Sequence, residues 1–257
     1  MATWIAHLRI AENLLDAFPD LDPYAFAVGS VAPDSGIPDK NWEKFNPPGE
    51  ITHFRAPEGS LYPSADMEFY RQHLADVEFP GSEPKKVSFL LGYFCHLVTD
   101  NLWHVIISVP THKRFQTEFD SIPGFIWEVK KDWYGLDFEY VRSHPGSLYW
   151  KIFLECAYAE NYLGFLLPEG VQRSLKHIQE YYQRWDDHVQ ERVNRERIYL
   201  TETEMDHFVE TATSTILAAW ESLQAGEVQL EGKDSILEAY ESNRPHQIRQ
   251  EPRIRVY

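Results

Sequence analysis

The sequence predicts an all-α protein, a compact bundle of helices around one buried central helix, and three observations predict it. Apolar residues recur at intervals of three and four through most of the chain, as they do in amphipathic helices. One stretch, residues 88–105, is apolar on every side except for a few polar groups, which is the pattern of a helix in the middle of a domain. No stretch reads as a strand within residues 1–242, which are expected to form one domain followed by an extended tail at 243–257. With 257 residues the chain can bury a substantial core.

The elements follow in order. Residues 3–18 set Trp4, Leu8, Ala11, Leu14, Leu15 and Phe18 against Arg9, Glu12, Asn13 and Asp16, which predicts an amphipathic helix. His7 sits in the centre of its apolar stripe. Pro19 and Pro23 break that helix, residues 24–28 can make a short one, and Gly29-Ser-Val-Ala-Pro-Asp-Ser-Gly36 is a turn or loop. Residues 37–63 have little periodicity and many prolines, and a loop of that length in a compact domain is usually functional or disordered. It carries Thr52-His53-Phe54. A helix is expected over 65–77 and a break over 79–84. The central helix then runs to about residue 109, where Pro110 ends it. Residues 111–146 are mixed. Helices are expected over 150–166, 169–194 and 203–225, with another over 234–241, and the two prolines of the tail keep it extended on the surface.

Charge and cysteine content narrow the function. There are 24 basic and 40 acidic residues, a net charge of −16, which opposes stable binding to nucleic acid or to an anionic bilayer. Cys95 and Cys156 are the sole cysteines, and one lies inside the central helix, so a reducing compartment is expected. Neither a secretory signal nor a transmembrane run is visible, and the expected product is cytoplasmic.

Chemistry has few places to reside, because phosphate-cradling loops, nucleophile elbows, His-Glu-x-x-His and Cys-x-x-Cys are all missing. What remains is a set of six residues in the first 104 positions: His7, Asp34, His53, His96, Asp100 and His104. His96 and Asp100 are four apart and share one helix face, the separation that one metal ion or one hydrogen bond requires. Ordinary explanations exist for each alone. His7 can be a hydrogen-bonded core residue, Asp34 can stabilise a turn, His53 can be a surface histidine, and His96 with Asp100 can form a structural bond. As a ligand set, mixed imidazoles and carboxylates suit zinc, with manganese or iron as alternatives, and disfavour calcium. The remaining clusters, Asp186-Asp-His188 and Asp206-His207, read as solvated helix faces.

Four segments taken together resemble the zinc-dependent phospholipase C family and, more distantly, the helical zinc nucleases that cut single strands. They are Thr3-Trp-Ile-Ala-His-Leu-Arg-Ile-Ala11, Gly29-Ser-Val-Ala-Pro-Asp34, Thr52-His-Phe54 and Phe94-Cys-His-Leu-Val-Thr-Asp100, covering roughly residues 3–110. The resemblance implies a helical bundle around a metal cluster, with Asp34, His53, His96 and Asp100 on the main zinc ion. It also implies that Asp100 bridges to a second ion bound by His7. Secreted members complete that second position with a free N-terminal Trp, whereas Trp4 is internal here, so water, substrate or another group would have to substitute. A third position would use His104 and His112, with Gln116 standing where the family has an acid and Glu118 nearby.

The function expected is hydrolysis of a phosphate ester, foremost a phosphodiester of a lipid or small molecule. Metal-activated water would be the nucleophile, with Asp34 orienting or deprotonating it. The rival expectation is a non-catalytic helical binding module with a structural metal or a buried His/Asp cluster. A helical phosphohydrolase of the His-Asp type lacks its adjacent His-Asp dipeptide in this chain.

Overall fold

Several helices begin where a side chain supplies a missing backbone partner. In the computed structural model, which describes residues 1–41, 43–77, 81–228 and 231–243, helix α1 spans Trp4–Ala17 and is capped by the Thr3 side chain, which accepts from Ala6 N. Helix α2, Pro23–Gly29, is capped by Asp22 and starts on a proline whose missing N–H costs nothing there. A 3-10 turn, Ala32–Asp34, follows. The long loop holds a minimal antiparallel pair, β1 (Ile37–Pro38) with β2 (Phe45–Asn46), then one helical turn, α3 (Gly49–Thr52).

Helix α4 spans Asp66–His73, shorter than the expected 65–77, and α5 spans Pro84–Trp103. Every residue from Val87 to Trp103 is buried, so α5 is the central helix that its all-round apolar pattern requires. Helices α1, α2, α4 and the later α12 pack on it. Pro110 does not end this path, contrary to expectation. A π-helical segment, His104–Ser108, leads directly into α6, Val109–Arg114. Ser108 and Val109 keep helical dihedrals, and the π-helical register before Pro110 accommodates the donor that the proline lacks.

Within the region read as mixed lie α7 (Gln116–Ser121) and the long α8 (Ile126–Ser143). The helix expected over 150–166 does not form. One turn, α9 (Leu148–Lys151), and a 3-10 turn, Phe153–Glu155, are followed by irregular chain. Side chains replace the helical ladder here: Gln179 Nε2 donates to the carbonyls of Phe153 and Cys156, and Gln172 Oε1 accepts from Tyr158 N. Tyr158 and Tyr162 are drawn instead onto Phe89 of α5, at 5.2 and 5.4 Å between ring centroids.

The helix expected over 169–194 is divided into α10 (Pro168–Tyr181) and α11 (Asp187–Asn194), because Asp186 turns its side chain to Val189 N and caps a new helix. Helix α12, Glu202–Gln224, starts with a reciprocal Thr201 and Glu204 capping box, and α13 spans Ile236–Asn243. Most of the expected tail, residues 244–257, and part of the break before α5, residues 78–80, lie outside the described residues. Among those described, no helix is long and apolar enough to cross a membrane.

Candidate metal centre

Five of the six candidate side chains converge at the middle of α5. His7 comes from α1, Asp34 from the 3-10 turn, His53 from the residue after α3, and His96 and Asp100 from α5 itself. Asp100 Oδ1 is 3.5 Å from His7 Nε2, while Asp100 Oδ2 is 3.5 Å from His96 Nε2 and 3.7 Å from His53 Nε2. His53 Nε2 is also 3.2 Å from Asp34 Oδ1. His7, His96 and Asp100 are fully buried, and Asp34 and His53 form the slightly exposed edge.

Local chain geometry explains why these groups meet. Helices α2 and α5 touch backbone to backbone, since a Cβ at Gly29 would overlap the Phe89 carbonyl and one at Gly92 would overlap the Phe26 carbonyl. That approach brings Ser30 O within 2.9 Å of His96 Nδ1. Nδ1 donates its proton there, so Nε2 is left as an inward-facing lone pair. On the opposite side, Tyr93 OH donates to Thr52 O and pins α3 onto α5. Phe54, with φ of +48°, takes the left-handed conformation that bulky residues avoid, and its ring packs against Phe69 and Phe165. His53, between these two anchors, is directed at His96, with 3.3 Å between their Nε2 atoms.

The electrostatics keep His7 neutral and the two carboxyls ionised, as ligation of a cation requires, and hold His53 towards its charged form. Burial, assisted by the neighbouring His96, pushes the His7 imidazole down to about 4 and keeps it neutral. Burial would raise the Asp34 carboxyl, but the bond from His53 and the field of His96 outweigh it and hold the group below its ordinary value. Asp100 behaves likewise: His96, the N-terminal ammonium and His7 overcome burial and keep it well below the usual carboxylate range. Burial would lower His53, and its bond to Asp34 raises it instead.

These residues fit a bound cation. His7 Nδ1 and Nε2 and Asp100 Oδ2 are buried without a hydrogen-bond partner among the described residues, a cost of roughly 1–3 kcal/mol for each such group. Two overlapping sets, His7 with His96 and Asp100, and Asp34 with His53 and His96, each bring their ligand atoms within 4.8 Å of one another. Imidazole nitrogens with carboxylate oxygens are the donors zinc prefers.

His104 stands apart from both sets and lines a cleft of about 600 Å³ with His53, Asp100, Met1, Phe45 and Arg55. His112 stacks on Phe119 at 4.6 Å, and neither it nor Glu118 belongs to a ligand group among the described residues. Trp4 points elsewhere, edge-on to His177, Tyr181 and Tyr182. The chain segment at the centre is Met1–Ala2, whose Ala2 N–H donates to Asp100 Oδ1 at 2.6 Å.

Several participants carry no signal in the sequence. Ser30 acts through its carbonyl and Ala2 through its amide, groups that every such residue owns. Asp137 on α8 accepts from Thr3 Oγ1 at 2.7 Å and from Tyr182 OH at 2.6 Å, and so ties down the N-terminal segment. An aspartate on the apolar face of residues 126–143 is the clue that could have revealed it. A family model described as zinc dependent phospholipase C matches residues 6–223. No curated protein and no solved structure matches the chain.

Proposed function

This chain belongs to the zinc-dependent phospholipase C family, a membership that makes it a phosphoric ester hydrolase, and from that premise we propose that it cleaves phosphodiesters at the α5 centre. The observation that carries the reading is the buried convergence of three imidazoles and two carboxylates with unpartnered atoms. Asp34, His53, His96 and Asp100 would hold one zinc ion, and His7 with the other Asp100 oxygen would hold a second, manganese or iron being alternative occupants. Zinc, when bound, supplies positive charge that lowers the pKa of a water to about 7 and neutralises charge developing on a phosphoryl oxygen.

The chain's own residues then have separable tasks. Asp34, held ionised beside His53, orients the attacking water and accepts its proton. Ser30 O fixes the His96 ring, and Ala2 N–H fixes Asp100. The cleft admits a phosphoester, and His104 on its wall stands within reach of the substrate's polar groups rather than on the metal. The buried free thiols Cys95 and Cys156 support a reducing, cytoplasmic setting.

Elemental analysis of protein purified without chelator tests the proposal, together with hydrolysis of bis(p-nitrophenyl) phosphate. Zinc at one or two equivalents, activity lost on chelation and restored by zinc, and loss of both in His96→Ala are expected. Activity that survives exhaustive chelation, or no activity with zinc, manganese or iron supplied, would overturn it.

A further inference from the structure

The cleft that opens onto the α5 centre holds an imidazole that neither ligand set uses. His104 lines it together with His53 and Asp100, so one continuous space of about 600 Å³ touches all three residues. His104 follows Asp100 by four residues and its backbone N–H donates to Asp100 O, so the two side chains leave one face of the helical path a single turn apart. Side chains so placed have Cβ atoms roughly 5–6 Å apart. His104 nevertheless stays outside both groups whose ligand atoms lie within 4.8 Å of one another. It is set back from the ion positions, where a substrate rather than an ion would meet it.

The ring is also unclaimed. Among the described residues it makes no hydrogen bond, ion pair or ring contact, whereas His7, His53 and His96 all meet carboxylates and His112 stacks on Phe119. The backbone leaves the α register at this residue and runs as a π-helical segment over His104–Ser108, a change that recurs at functional sites. Imidazole is the side chain whose proton moves readily near neutral pH, and the cleft is lined by two, His53 and His104. His53 is committed to Asp34 and to the ion sites. That leaves His104 as the imidazole free to exchange a proton with whatever fills the cleft.

We propose that His104 is the general acid of the reaction, giving its proton to the ester oxygen that leaves phosphorus. This rests on the reading of the α5 centre as a phosphoesterase site. As the water oxygen bonds to phosphorus, the bond from phosphorus to the ester oxygen breaks, and the imidazolium protonates that oxygen so that it departs as an alcohol. Asp34 takes the proton that the water releases. One proton is given and one is taken, and exchange with solvent returns both groups to their starting forms. Burial lowers the pKa of the His104 ring, which makes its proton easier to transfer, and an anionic phosphoester beside the ring favours its charged form.

Two phosphodiesters that differ only in their leaving group test this on the zinc-loaded protein. Methyl p-nitrophenyl phosphate releases a stabilised phenolate that needs little protonation, and methyl phenyl phosphate releases a more basic one that needs a proton. His104→Gln should lower kcat/KM for the phenyl ester at least about tenfold more than for the nitrophenyl ester, with zinc content unchanged, and His104→Ala should do the same. The ratio between the esters controls for folding, since a misfolded fraction lowers both rates alike. An equal loss on both esters, or no loss on either, would overturn the assignment, and a drop in zinc content would make His104 a metal ligand instead. Wild-type protein that hydrolyses neither ester would sink the α5 reading and this one with it, whereas wild-type hydrolysis with an unaltered ratio in the variants would sink this one alone.

Discussion

Asp100 shows how much depends on one side chain. Its two oxygens face different groups, Oδ1 towards His7 and Ala2 N, Oδ2 towards His96 and His53. Asn at this position keeps the size and removes the charge. Asp100→Asn should therefore lose most bound zinc and lower kcat/KM by about a thousandfold or more, the loss of several kcal/mol of charge stabilisation. Metal analysis and phosphodiester kinetics on the same preparation check it. Full zinc occupancy with unchanged kinetics would show that Asp100 is only a core hydrogen-bonding group. That His96 and Asp100 belong together was visible in the sequence, because four residues on a helix is a local relation. Their need for Ser30 O was not, because the relation spans 66 residues and runs through a carbonyl.

At the scale of elements, the crossing of α2 and α5 sets the position of the whole centre. Gly92 allows it, and the Gly92→Ala methyl group would collide with the Phe26 carbonyl, which belongs to rigid helix backbone. The helices must separate, moving Ser30 away from His96. We expect overpacking to cost about 1–3 kcal/mol and zinc affinity to fall with it. Thermal unfolding combined with zinc titration reads both, and an unaffected zinc affinity would separate the crossing from the site. The failed helix over 150–166 belongs to the same scale. Its residues have helical spacing, but Phe89 and the amides of Gln172 and Gln179, distant in sequence, compete for its rings and backbone groups. Long-range partners outweigh weak local preference there.

For the molecule as a whole, buried carboxyls away from the centre make stability depend on pH. Burial pushes Asp66 up to about 7, although Ser235 Oγ, Ile236 N and Asn101 Nδ2 all donate to it. Between its ordinary value of 3.8 and 7 the folded chain keeps a proton that the unfolded chain releases. The stability this group contributes is thus fully present below 3.8 and is lost as pH rises through 7, at most about 4 kcal/mol. His7 acts in the opposite sense, since its lowered value makes acid destabilising as pH falls from 6.5 towards 4. Asp137 is pushed up to about 7 as well, so Asp66→Asn should remove one part of the alkaline loss, and Tm should decline less between pH 5 and pH 8 than in the wild-type chain. An identical decline in both proteins would contradict the assignment.

The sequence by itself determined the helical class, the all-round burial of α5, and the residue types gathered at its centre, because periodicity and i to i+4 spacing are properties of a single helix. Folding alone settled that the helical path continues past Pro110, that Asp137 on α8 ties down the N-terminal segment, and that His104 lies on the cleft wall. Those outcomes depend on which distant groups satisfy a backbone carbonyl, a hydroxyl or a charge, and contacts of that kind exist only once the chain has folded.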